Sequence, residues 1–231
     1  MKMLKTTTAA LLLAALFTSN INGQESDSRK ETNKTSFTAT LMPLSIVDPS
    51  PRLRFGGEFL FNHKYSISID YGFGDESMSY KTEKSNGKDY SLWEIRPEFK
   101  AYKHVNKHIA FYAASELFFI NHNNKYLDSH YQSEEGKTVY YNSTDYHRIK
   151  YGVNFKGGFK ATLMERISLE AYAGIGVRVR QIDFSNTSVI TSEDYHFFED
   201  WNSYISNKEG NSISLNMAAG IRIGFILFSH K

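Results

Sequence analysis

The chain has no cysteine. That excludes a disulfide framework, a thiolate metal centre, a cysteine nucleophile and a lipid-modified cysteine. Proline is scarce, four in 231 residues. No apolar run beyond residue 17 is long enough to cross a bilayer as a helix, which takes roughly 20 residues. An excess of one charge is also missing: 27 basic residues face 25 acidic ones, so a nucleic-acid partner lacks its electrostatic footing. Aromatic residues are plentiful instead, with 15 Tyr and 17 Phe, a bias toward strands. A hydrophobic fraction of 41% is too high for a disordered chain. A mean hydropathy of −0.45 is too polar for a helical membrane protein.

The first residues carry Lys2 and Lys5, then a short apolar stretch from Thr6 to Phe17, then a small residue at Gly23. This pattern predicts a secretory signal peptide over 1–23, cleaved after Gly23. The stretch removed takes two cations and no acid, so the exported chain is expected to be neutral overall. Residues 24–35 are polar and are expected to form a flexible N-terminus.

From residue 36 to 231 the pattern has period two. In Ser212 to Phe228 the odd positions Ile213, Leu215, Met217, Ala219, Ile221, Ile223, Phe225 and Leu227 are all apolar. The even ones are small or polar until Ile226. Alternation of this kind predicts a strand with different surroundings on its two faces. Ile167 to Val179, Ile149 to Ala161, Leu53 to Phe61, Tyr65 to Tyr71 and Trp93 to Ala101 repeat it. Ile109 to Ile120 is weaker, because Phe118 and Ile120 break parity, and Phe37 to Ile46 is weakest. Eight strands are predicted: 36–47, 51–61, 65–73, 90–102, 108–121, 146–163, 167–184 and 211–228. Short turns at 62–64, 103–107 and 164–166 alternate with long polar loops at 74–89, 122–145 and 185–210. The one short connection on the loop side is Asp48-Pro49-Ser50-Pro51.

An even number of antiparallel strands, with short turns at one end and long loops at the other, is the layout of an up-and-down transmembrane β-barrel of the bacterial outer membrane. In lipid each backbone N–H and C=O must be paired within the protein, so a sheet has to close on itself. Phe61, Tyr65, Phe159 and Phe225 near the turns, and Tyr71, Trp93 and Tyr151 nearer the loops, are expected to form the two aromatic girdles. Period two alone leaves a rival: a soluble lipocalin-type barrel puts the apolar face inside. The glycine-rich, oppositely charged polar face favours lipid outside and a crowded lumen inside.

In Phe55-Gly56-Gly57-Glu58-Phe59, Ser66-Ile67-Ser68-Ile69-Asp70-Tyr71-Gly72, Ile95-Arg96-Pro97-Glu98-Phe99-Lys100-Ala101-Tyr102 and Ala173-Gly174-Ile175-Gly176 the chain resembles the small eight-stranded outer-membrane barrels, the OmpA/OmpX-like group. The likeness is architectural and carries no catalytic motif. It implies residence in the outer membrane of a Gram-negative cell, contact with its lipid, and assembly by the barrel-assembly machinery. Two departures stand out. Such barrels usually end on an aromatic residue, whereas this chain continues Phe228-Ser229-His230-Lys231. Pro97 lies inside a predicted strand, where it removes a ladder hydrogen bond, and a bulge is expected there.

By parity the lumen receives Arg54, Arg96, Lys100, Arg148, Lys150, Lys156, Lys160, Arg178, Arg180 and Arg222, with Glu58, Asp70, Glu94, Glu98, Glu116 and Glu170. An ionic network that plugs the barrel is the expected role, and a narrow, anion-selective pore is the sharper alternative. No metalloprotease or nucleophile-elbow motif occurs, so no catalytic residue, cofactor or metal is assigned. His147 beside Arg148 leaves one rival class, a lipid-modifying Ser/His hydrolase. The loop run containing Tyr195, Phe197, Phe198 and Trp201 is a candidate contact surface for an extracellular ligand. The expectation is thus a monomeric, non-enzymatic barrel.

Overall fold

The structure is a computed structural model that describes residues 35–78, 88–106, 108–164, 166–190 and 208–230. The signal peptide and the contact residues Tyr195, Phe197, Phe198 and Trp201 lie outside the described residues. Eight strands follow in order: β1 (Thr35–Met42), β2 (Leu53–Phe61), β3 (Tyr65–Asp75), β4 (Lys88–His104), β5 (Ile109–Gln132), β6 (Thr138–Leu163), β7 (Ile167–Val189) and β8 (Gly210–His230). Each pairs antiparallel with its neighbour in sequence, and β1 pairs with β8, so the sheet closes into a barrel. This is the eight-stranded antiparallel up-and-down barrel that the alternation predicts.

Closure settles which face is which. Ile213 is 76% exposed, Val177 47% and Phe155 50%, while Arg222 and Glu170 are each 1% exposed. The apolar face therefore points outward around the ring and the charged face points in. A lipocalin-type interior is excluded by this geometry. Tyr65, Phe159 and Phe225 toward the turns, and Tyr71, Trp93 and Tyr151 toward the loops, all lie on the outside.

Several boundaries differ from expectation. β1 stops at Met42, because Pro43 opens a single 3-10 turn, Pro43–Ile46. There the Ser45 hydroxyl sits between the Met42 and Arg52 carbonyl oxygens, 2.7 and 2.8 Å away, with its one proton to share, folding the chain back into β2. The long loop at 122–145 is mostly strand: β5 and β6 stay paired from Ile109↔Ala161 up to Gln132↔Thr138. β7 likewise continues to Val189. At Pro97 there is no bulge. The β4–β5 register is the same at Ile95↔Phe119 and Glu98↔Glu116, and only the pairs between them are missing. The lost N–H thus opens a gap in the ladder without shifting it.

Candidate functional site

The lumen divides into two halves along the barrel axis. Toward the turns, four cations meet four carboxylates. The Arg222 guanidinium donates to Asp70 at 2.6 Å, to Glu98 at 3.1 Å and to Glu170 at 3.2 Å. Lys100 donates to Glu170 at 2.7 Å and to Glu58 at 3.4 Å. Lys160 reaches Glu58 at 2.8 Å and Glu170 at 3.3 Å. Lys156 pairs with Glu98 and, at 2.7 Å, with Glu116 in the half above. The Tyr102 hydroxyl donates to Glu58 at 2.5 Å and that of Tyr112 to Glu170 at 3.3 Å. Arg222, Lys100, Glu58, Glu170 and Asp70 are fully buried, so they fill the cross-section. Burial of this kind is tolerable because each charge has a partner.

Glycine makes the room. A Cβ on Gly158 would lie 2.6 Å from the Tyr112 ring, and one on Gly220 would lie 2.6 Å from the Tyr172 hydroxyl. With two of its eight strands backbone-only at that level, a narrow lumen can hold two tyrosines over the ionic plug.

Toward the loops the balance fails. One carboxylate, Glu94, accepts from three guanidiniums: Arg52 at 2.8 Å, Arg54 at 2.5 Å and Arg96 at 3.0 Å. Glu116 accepts from Arg96 at 3.0 Å and from Asn154 at 2.7 Å. Asp48 reaches only the near side, pairing with Arg52 at 3.3 Å. Across the lumen, Arg178 donates to the Ser214 hydroxyl at 2.8 Å and Arg148 to that of Ser50 at 3.2 Å. Among the described residues no carboxylate lies within ion-pair distance of Arg148, Lys150 or Arg178. Lys150 stands directly opposite Arg180 in the β6–β7 register, an unfavourable like-charge cross-strand pair. These side chains surround a cavity of about 210 Å³ that has Arg96, Glu116 and Tyr172 on its turn-side wall.

Further along β5, His122 is buried between the Tyr90 and Tyr146 rings, 5.1 and 5.5 Å from their centroids. Neither ring nitrogen has a hydrogen-bond partner among the described residues. Burial, with the Arg148 and Lys150 charges nearby, holds its imidazole well below the usual histidine range, so it is neutral.

Every residue assigned to the lumen by parity points inward, Arg54, Glu58, Asp70, Glu94, Arg96, Glu98, Glu116, Lys156, Glu170, Arg178 and Arg222 among them. Arg52 belongs there too, 5% exposed. It shares the parity of Arg54, and that signal was available. His147 points outward, with Asn121 at 3.2 Å and Asp183 at 4.0 Å, and no serine hydroxyl of the described residues reaches it. Among the described residues the lumen brings together cations, carboxylates and hydroxyls, and no serine hydroxyl meets a histidine. No protein-family model matches the chain, and no curated protein matches it in sequence.

Proposed function

We propose that this chain is an exported, monomeric barrel of the Gram-negative outer membrane, related in architecture to the OmpA/OmpX-like group, with a non-enzymatic role in the envelope. The observation that carries the reading is the inverted distribution of polarity. Large apolar side chains cover the outside on every strand, and charges are sealed within. Soluble monomers rarely expose an apolar patch of more than a few hundred Å². At about 3.4 Å per residue and about 40° tilt, Tyr65 to Phe73 climbs roughly 20 Å, close to the ~25 Å apolar band of such barrels. β5, β6 and β7 continue past the outer Tyr71, Trp93 and Tyr151, which suits strands that stand out of a membrane on the loop side.

The ionic plug of the turn-side half acts as structural filling, and the loops, including Tyr195, Phe197, Phe198 and Trp201, are the surface open to an extracellular ligand. Outer-membrane lipid and, during biogenesis, the barrel-assembly machinery are the implied partners. Cell fractionation followed by a heat-modifiability gel tests the reading. Recovery in the outer membrane, with a folded band that shifts on boiling, is expected; recovery in the soluble periplasm overturns it.

The lipid-modifying alternative has one observation in its favour, the outward His147 beside Asp183. It requires a change in lipid A mass on overexpression that a His147→Ala variant abolishes. A narrow pore is the other alternative, and the filled cross-section at Arg222 and Lys100 speaks against it. Its test is conductance in planar bilayers after verified insertion, expected to be absent.

A further inference from the structure

We propose that the loop-side half of the lumen is a binding vestibule for a small oxyanion carrying two or more negative charges, such as a phosphate or pyrophosphate. The argument rests on three observations that agree. First, there is a space: a cavity of about 210 Å³. Taking ~30 Å³ per water, that is several waters, enough for a tetrahedral anion and part of its shell. Second, the wall is cationic beyond what its carboxylates can neutralise. Arg52, Arg54 and Arg96 share Glu94, and Arg148, Lys150 and Arg178 have no carboxylate within reach among the described residues. Third, donors are left over. The Arg148 Nε is buried with no hydrogen-bond partner. Arg178 uses its Nε on a neutral serine, which leaves the forked end of its guanidinium for an oxyanion.

A barrel selected only for stability would pair these charges as the turn-side half does, because unpaired cations in a narrow lumen repel one another. The same lumen carries a neutralised plug toward the turns and an open excess toward the loops. The plug also makes the cavity blind: an anion entering from the loop end meets Tyr172 and the Arg222 network. The site is therefore one for capture, with no route onward. It needs the closed barrel and is independent of where the barrel resides.

The test uses the full exported chain, refolded in a neutral, phosphate-free detergent and shown by gel shift to be closed. Inorganic pyrophosphate is titrated by calorimetry, with phosphate and chloride as comparison anions. One saturable site is expected, with pyrophosphate tighter than phosphate, chloride competing only at high concentration, and a melting temperature that rises with anion. Arg148→Gln with Lys150→Gln is expected to weaken binding by roughly tenfold or more, while the turn-end variant Lys103→Gln leaves it unchanged. Arg178→Gln gives a second, independent loss if the double variant does not close. No saturable binding by closed wild type overturns the proposal, as does equal weakening in Lys103→Gln or none in the lumen variants. Recovery of the protein from the periplasm would sink the membrane reading and leave this titration meaningful.

Discussion

The two halves of one lumen are built from the same residue types and behave as opposites. On the turn side Arg222, Lys100, Lys156 and Lys160 are matched by Asp70, Glu98, Glu58 and Glu170, and nearly all are sealed from solvent. On the loop side Arg148, Lys150 and Arg178 line an open cavity, the two arginines donate to serine hydroxyls, and none of the three has a carboxylate within ion-pair distance among the described residues. Low dielectric makes a paired charge rigid and an unpaired one costly. The first half reads as scaffold, and the second as a place where stability has been given up.

The comparison is broken most sharply by Arg222→Leu. Asp70 then loses the one cation within ion-pair distance among the described residues, and a carboxylate remains buried without compensation. A loss of about 3–5 kcal/mol is expected, read by urea unfolding in lipid vesicles. A loss below 1 kcal/mol would show that the plug is not the scaffold. Next in size is Gly158→Ala. Its new methyl would meet the Tyr112 ring and the Ala171 carbonyl, 2.6 and 2.7 Å away. A cost of about 1–3 kcal/mol is expected from that overpacking, seen as a lower unfolding midpoint.

The loop-side half should respond to acid. His122 is held neutral in the folded chain, with its pKa depressed by burial and neighbouring cations. Below about pH 6.5 the unfolded chain takes up a proton that the folded chain does not, so stability falls as pH drops through that value. About 1 kcal/mol between pH 6.5 and 5.5 is expected, and His122→Phe should flatten the slope. The smallest effect is the most diagnostic. Lys150→Gln removes one partner of the like-charge pair with Arg180, so the anion-free barrel should be unchanged or more stable by up to about 1 kcal/mol. Clear destabilisation would mean that Lys150 has a structural partner and that the two halves do not differ as described.

The contrast between halves was only partly legible in the sequence. Parity alone put Glu170 and Arg222 inside and Ile221 outside, because alternation in β7 and β8 is clean. It could not say that Glu94 gathers three arginines while Arg148 has no carboxylate within reach among the described residues, since that depends on stagger around the ring and not on any single strand. The continuation of β5 and β6 was hidden for another reason. Asn121-His122-Asn123-Asn124-Lys125 is polar at both parities, so there is no contrast to read, and only the pairing with Ile149 to Asp145 reveals a strand. Arg52 falls inside the predicted strand 51–61 at the parity of Arg54, so its inward position was legible by the same rule.

The central claim is that the apolar face meets hydrocarbon and the charged face does not. Because the chain lacks cysteine, single cysteines at Val177, Phe155 and Ile221 can each carry a spin label in barrels reconstituted into lipid bilayers. The account predicts that apolar oxygen relaxes all three labels and that a water-soluble nickel chelate does not. Efficient relaxation of the three by the chelate, with oxygen no better, would contradict it.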